Sequence, residues 1–133
     1  MACNWHYEGQ PLLEPPEGAV GFVYLIENIT NGRRYVGKKQ FWSTRRLPPL
    51  KGKTRKRTVI KESDWRSYTG SSLALNEDIA AGHDIHKTVL HIAYSKGMTS
   101  YLELVEQVNR NVLTDDRYYN GIIQAKIHAS HIK

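Results

Sequence analysis

The stretch Val20–Trp42, VGFVYLIENITNGRRYVGKKQFW, constrains the fold of this chain more than any other. Its first part, "VGFVYLIEN" (Val20–Asn28), is dense in β-branched and aromatic residues and predicts a strand. "TNGR" carries the Asn-Gly turn signal, and "RRYVGKKQFW" predicts the returning strand of a hairpin. Gly37 weakens that second strand and marks a close approach of backbone or ligand. Tyr24 and Tyr35 lie eleven residues apart, and Lys38 and Lys39 follow where a buried strand would favour apolar side chains. Directly paired residues of an antiparallel ladder point to the same side. With that odd separation, any even-length loop therefore puts both phenols on one face, and an odd loop separates them. A two-residue Asn31-Gly32 turn leaves them about four residues, roughly 13 Å, out of register, whereas a loop of about four to six residues brings them closer. Lys39 shares the face of Tyr35 in a regular strand and Lys38 does not, which ranks Lys39 above Lys38 for a role in a site.

The remaining chain of the 133 residues reads as one domain. Residues 1–19 hold three prolines and no clean period and are expected to be an irregular arm. Residues 43–62, STRRLPPLKGKTRKRTVIKE, combine Pro-Pro, Gly and dense charge and are expected to form an extended basic loop. "SDWRSYTGSS" follows as a compact aromatic connection, and Ser71 or Ser72 is a candidate N-cap for a helix through "LALNEDIAAG". "HKTVLHIAYS" predicts a third strand. Thr99 or Ser100 is a candidate cap for a second helix, "YLELVEQVNRNVL", with Tyr101, Val105, Val108 and Val112 at the helical period. A domain over 20–125 and a tail over 126–133, which the pattern assigns to neither strand nor helix, complete the division.

Charge narrows the function. The chain carries a formal +6, yet between Lys38 and Arg66 eleven Lys or Arg face only Glu62 and Asp64, a net of +9 that leaves −3 for everything else. A basic segment on a mildly acidic body is the footprint of phosphate-backbone binding, although a solvated loop alone can look the same. The single Cys3 excludes an internal disulfide and a multi-cysteine zinc site. No apolar run reaches the roughly 18–20 residues of a membrane span, and the first residues lack a signal-peptide pattern, so a soluble cytoplasmic protein is expected. The six histidines lack a completing carboxylate or cysteine set and read as surface residues. Trp42 and Trp65 flank the basic loop and either stack on nucleic acid or anchor the loop.

"FVY" at 22–24 followed by "YVG" at 35–37 resembles the paired signature of the GIY-YIG endonuclease family, with Phe22 replacing the first glycine and valine replacing both isoleucines. The resemblance continues, in order, through Arg45 ten residues after Tyr35, the glutamates of the second helix, and Asn120 in "YYN". "YVGKK", the basic loop, "SDWRSYTGSS" and "DDRYYNGII" are similar to small phage-encoded, stand-alone members. The resemblance implies an α+β fold, a small antiparallel sheet of three strands flanked by helices. It also implies metal-dependent hydrolysis of DNA phosphodiesters, with double-stranded DNA the expected partner and Mg²⁺ or Mn²⁺ the cofactor.

The resemblance further implies a role for each matching residue. Tyr24 is the candidate general base, a phenol whose ordinary pKa near 10 needs neighbouring positive charge. Tyr35 assists by a hydrogen bond, and Arg45, or its neighbour Arg46 if the loop shifts register, offers bidentate hydrogen bonds to the scissile phosphate. Lys38 and Lys39 add positive charge. Glu103 is preferred over Glu106 as the metal ligand, and Asn120 orients the glutamate or a phosphate. Lys51, Lys53, Arg55, Lys56, Arg57, Lys61 and Arg66 would grip the DNA backbone, and Ser71 and Ser72 could donate to a phosphate at a helix N-terminus. The alternative is a non-catalytic nucleic-acid-binding module of the same fold, in which Tyr24, Tyr35 and the glutamates are packing and surface residues.

Overall fold

The computed structural model describes residues 4–55, 57–127 and 129–131. Nine elements follow in chain order: β1 (Trp5–Tyr7), β2 (Gln10–Pro11), β3 (Gly21–Asn28), β4 (Arg34–Gln40), β5 (Trp42–Leu47), β6 (Arg57–Glu62), α1 (Leu73–Ala80), β7 (Ile85–Ala93) and α2 (Lys96–Asn109). A 3₁₀ turn follows at Ala129–His131.

Strand β3 is apolar at nearly every position because both of its faces are covered. Side chains two apart share a face of a strand. Phe22, Tyr24 and Ile26 accordingly pack with Trp5, Phe41 and Trp65 on one side, while Val23 and Leu25 pack with Val36, Val112 and Tyr118 on the other. β3 pairs antiparallel with β4 on one edge and with β7 on the other. The β3–β4 register puts Tyr24 opposite Gly37 and Ile26 opposite Tyr35. Asn28 N–H donates to Arg33 O at 2.7 Å, so the loop between the paired residues spans 29–32. Four is an even number, and both phenols fall on one face, two positions out of register.

The sheet is larger than the three antiparallel strands expected. It has five strands in the order β2-β1-β7-β3-β4, and β1 runs parallel to β7. The arm is therefore not irregular throughout. Trp5 is buried and its indole N–H donates to Trp65 O at 2.6 Å. Strands of three and two residues are too short to show a period, and the turn between them uses Glu8 and Gly9 at positive φ.

The basic segment also departs from expectation. It is a two-stranded ribbon, β5 against β6, from Trp42↔Glu62 to Leu47↔Arg57. All six residues of β6 are exposed, so no apolar alternation marks it. Ser72 caps α1, as one of the two candidates. α2 begins earlier than expected, at Lys96 with Ser95 as its cap, and Thr99 lies inside it, donating its hydroxyl to Ser95 O at 2.7 Å. The buried face also differs from the expected stripe: Thr99 and Gln107 are buried, while Tyr101 and Val108 are exposed. Thr99 suits this contact because α2 crosses tightly over Gly21, where a β-carbon would lie 3.1 Å from its Oγ1.

Candidate active site

The hairpin builds the centre of the site through an absent side chain. Gly37 stands opposite Tyr24, and a β-carbon there would collide with the Tyr24 phenol oxygen and come within 2.7 Å of Cζ and 3.1 Å of Tyr35 Cε2. The glycine thus lets the Tyr24 ring lie across β4, with the Tyr35 ring centroid 6.2 Å from its own. Gly70 closes over the pair from the Asp64–Ser71 connection, its hypothetical β-carbon 3.2 Å from Tyr35 and 3.3 Å from the Tyr24 oxygen, at φ +84°. Tyr68 completes a cluster of three phenols, edge-on to Tyr24 at 6.1 Å. The buried Lys87 holds this connection from below, donating to Arg66 O at 3.1 Å and Tyr68 O at 3.0 Å.

Beside the cluster, at the free edge of β4, lies a cavity of about 360 Å³. Tyr35, Lys38, Ser71, Ser72, Glu103 and Asn120 are among its lining residues. Tyr35 Oη and Ser71 Oγ are hydrogen-bonded at 2.8 Å, and Lys38 Nζ donates to Ser100 Oγ at 2.7 Å. Burial pushes the Glu103 carboxyl above the usual carboxylate range, with Lys38 opposing the shift. Glu103 has no hydrogen-bond or ion-pair partner among the described residues. Glu106 differs: one of its oxygens meets His91 Nε2 at 3.0 Å and the other accepts from Arg110 Nε at 3.2 Å.

Asn120 acts on the backbone. Its Oδ1 accepts from Val36 N–H at 3.0 Å and its Nδ2 donates to Val36 O at 2.8 Å, so its amide pairs with the open edge of β4 as a strand would. Ser72 is engaged as a cap, accepting from Leu75 N–H at 3.3 Å.

Tyr24 is sealed from solvent. Burial, then the neighbouring Tyr68 and Tyr35 phenols, push its pKa far above the ordinary value. Tyr35 is also raised by burial, while its hydrogen bond to Ser71 pulls the other way. The expected positive field does not reach Tyr24. Lys39 shares its face, but its ammonium sits 4.2 Å above the Tyr68 ring and pairs with Asp64 at 2.7 Å. That hydrogen bond holds Asp64 below the usual carboxylate range. Lys38, ranked second by face, is the lysine that reaches the Glu103 cavity, because the cavity wraps round the β4 edge and draws on both faces.

Arg45 and Arg46 stand on β5, opposite Val59 and Thr58, both exposed and neither lining that cavity. Arg57 and Lys61 are on β6, Lys51, Lys53 and Arg55 are in the exposed connection at the ribbon tip, and Lys56 lies outside the described residues. Arg66 is engaged with Glu62, Glu14 and the Leu13 carbonyl and stacks over Trp65. The two tryptophans serve as anchors: Trp42 donates to Ala19 O at 2.9 Å and Trp65 to Glu62 Oε1 at 2.6 Å. Among the described residues no three His, Cys, Asp or Glu gather as a metal cluster. No helix among them is long and apolar enough to cross a membrane.

Residues 5–123 match a family model described as "Putative endonuclease segE, GIY-YIG domain". The chain belongs to the GIY-YIG endonuclease family. The match begins at Trp5, so the family's domain takes in β1 and β2 as well as the hairpin. No curated protein and no solved structure gives a significant match. Within this GIY-YIG domain, Tyr68, Gly70, Lys87 and Ser100 are contributors that sequence reasoning missed. "SDWRSYTGSS" held the signal for the first two, an aromatic and a glycine in a short connection next to the cap serines.

Proposed function

We propose that this GIY-YIG domain is an endonuclease that hydrolyses phosphodiester bonds of double-stranded DNA with one divalent cation, Mg²⁺ or Mn²⁺, held by Glu103. The observation that carries the reading is the half-buried Glu103 carboxylate without a partner, in a cavity shared with Tyr35, Lys38 and Ser71. A carboxylate raised by burial gains from a cation beside it. One carboxylate with room for waters suits a hard cation and not zinc, whose sites draw on several His or Cys ligands. A cation bound there supplies charge for the phosphoryl oxygens and a more acidic water.

The chain's own groups have separable tasks. Lys38 and the Ser71 hydroxyl stand where they can donate to phosphoryl oxygens. Tyr35, whose phenol opens on the cavity, orients the attacking water, and Tyr24 behind it fixes the Tyr35 ring. As a sealed neutral phenol, Tyr24 is assigned positioning and not proton abstraction in the free protein. Asn120 keeps the β4 edge straight beside Glu103. The basic ribbon supplies positive charge that draws the DNA to the domain.

Purified protein with Mg²⁺ is expected to nick supercoiled plasmid. Glu103→Ala should lower cleavage by about 10²–10³-fold or more while leaving DNA binding intact, and Glu106→Ala should cleave nearly as well as the parent. Cleavage retained by both variants overturns the metal assignment. The sealed Tyr24, and a Glu103 cavity with no arginine among its described lining residues, favour a second reading, the non-catalytic binding module. That reading requires salt-dependent binding with no Mg²⁺-dependent product.

A further inference from the structure

The ribbon is more specific than a basic tether. Paired residues share a face, so Ser43, Arg45 and Leu47 lie with Lys61, Val59 and Arg57, and the opposite face carries Trp42, Thr44, Arg46, Thr58, Ile60 and Glu62. The first face holds three cations and no acid. The second is tied to the body at its base, through Trp42 to Ala19 O and through Glu62 to Trp65 and Arg66. At its base the ribbon borders a groove of about 820 Å³, lined from both faces, where Lys38, Lys39, Lys61 and Lys96 outnumber Glu62 and Asp64. Lys38 lines the Glu103 cavity as well, so the groove and the proposed site adjoin at that side chain.

We propose that the β5–β6 ribbon lies in the major groove of duplex DNA, with the face of Arg45, Arg57 and Lys61 toward the base edges, and that the adjoining groove leads one strand to Glu103. The last clause rests on the nuclease reading. Size selects the groove: two strands about 4.8 Å apart with their side chains fit a major groove about 12 Å wide but not a minor groove about 6 Å wide. Six residues per strand give a reach of roughly 20 Å, enough to cover several base pairs. The chemistry of the face fits base edges: arginine pairs with guanine O6 and N7, and Val59 offers an apolar contact for a thymine methyl. Arg45, Arg57, Val59 and Lys61 are all exposed, and Arg57 is tied only by a long bond from its Nε to Pro48 O at 3.4 Å, so a duplex would meet them at little cost.

The test is binding of the full chain in EDTA, where cleavage is silent, to a fluorescein-labelled 30-base-pair duplex and to one of its strands. The duplex should bind more tightly than the single strand. Arg45→Ala/Arg57→Ala/Lys61→Ala should weaken duplex binding by about 30-fold or more, with melting temperature unchanged, whereas Arg46→Ala on the other face should cost less than about 3-fold. Replacing guanine by 7-deazaguanine, which removes the N7 acceptor, should weaken the parent several-fold and leave the triple variant indifferent. Distamycin, filling the minor groove, should not compete. Equal binding of single strand and duplex, equal losses for the two faces, indifference of the parent to 7-deazaguanine, or displacement by distamycin would each overturn the proposal. Should the triple variant fail to fold, Arg45→Gln against Arg46→Gln carries the same contrast. A chain that binds as described but never cleaves overturns the nuclease reading and leaves the ribbon assignment standing.

Discussion

Strands β4 and β5 are separated by Phe41 alone, yet they are built on opposite principles. Along β4, Val36 and Gly37 are sealed, and even the backbone of Val36 is paired by the Asn120 amide. Along β5 and β6 nearly every side chain meets solvent, and the ribbon's backbone pairs only with itself in a separate sheet. The body fixes its chemistry by burial: a glycine that admits a phenol, a lysine that holds a connection, an asparagine that closes an edge. The ribbon gains little from packing and so leaves its cations available to a partner. Precision belongs to the first region and reach to the second.

A matched pair of isoleucines tests this contrast most severely. Ile26 is fully buried in β3 and Ile60 is 66% exposed on β6. Ile26→Ala should lower the unfolding free energy by about 2–5 kcal/mol, and Ile60→Ala should change it by no more than about 0.5 kcal/mol. Denaturant unfolding of the two variants measures both. A comparable loss at Ile60 would mean that the ribbon packs on the body, and the division between the regions would fail.

The next effect sharpens the role of the body's central glycine. Gly37→Ala should cost about 1–3 kcal/mol, the range for overpacking a filled core, because the new methyl group meets the Tyr24 and Tyr35 rings. The φ of Gly37 is not in the left-handed region, so the penalty is steric and not conformational. Displacing the two phenols should also lower cleavage more than Arg46→Ala lowers it. A fully active, fully stable Gly37→Ala protein would show that the rings need not cross the strand there.

How much of this was legible differs between the same two regions. The hairpin was readable because β-branched density, the Asn-Gly signal and strand parity all depend on local pattern, and parity correctly linked an even loop to a shared face for Tyr24 and Tyr35. The five-stranded sheet was not, since β1 gains its place from Trp5 reaching Trp65, a contact sixty residues away. The ribbon read as a loop because strand recognition relies on a buried face, and β6 has none. Glu103 was preferred from its neighbours in sequence, and the structure sets it apart from Glu106 through His91 and Arg110, partners that no spacing could reveal. Three hydroxyl residues, Ser95, Thr99 and Ser100, stand near the start of α2, and the sequence does not say that Ser95 is the one that caps it. The preference for Lys39 assumed that a site lies on one face of a sheet, whereas this cavity turns round an edge.

The smallest expected effect concerns proton linkage in the body. The Tyr24 phenol is raised well above its ordinary value near 10 by burial first and by Tyr68 and Tyr35 next. In the unfolded chain it releases its proton as pH passes about 10, while the folded protein retains it, so the unfolded state binds fewer protons and stability falls with rising pH. The contribution is fully present below pH 10 and declines above it by up to about 1.4 kcal/mol per pH unit for one proton. Tyr24→Phe should therefore flatten the alkaline arm of stability between about pH 10 and 11. Urea unfolding at stepped pH reads the slope. An unchanged slope in Tyr24→Phe would mean that the phenol ionises as readily folded as unfolded, which would return Tyr24 to contention as the base and remove the reason for assigning the cavity's working phenol to Tyr35.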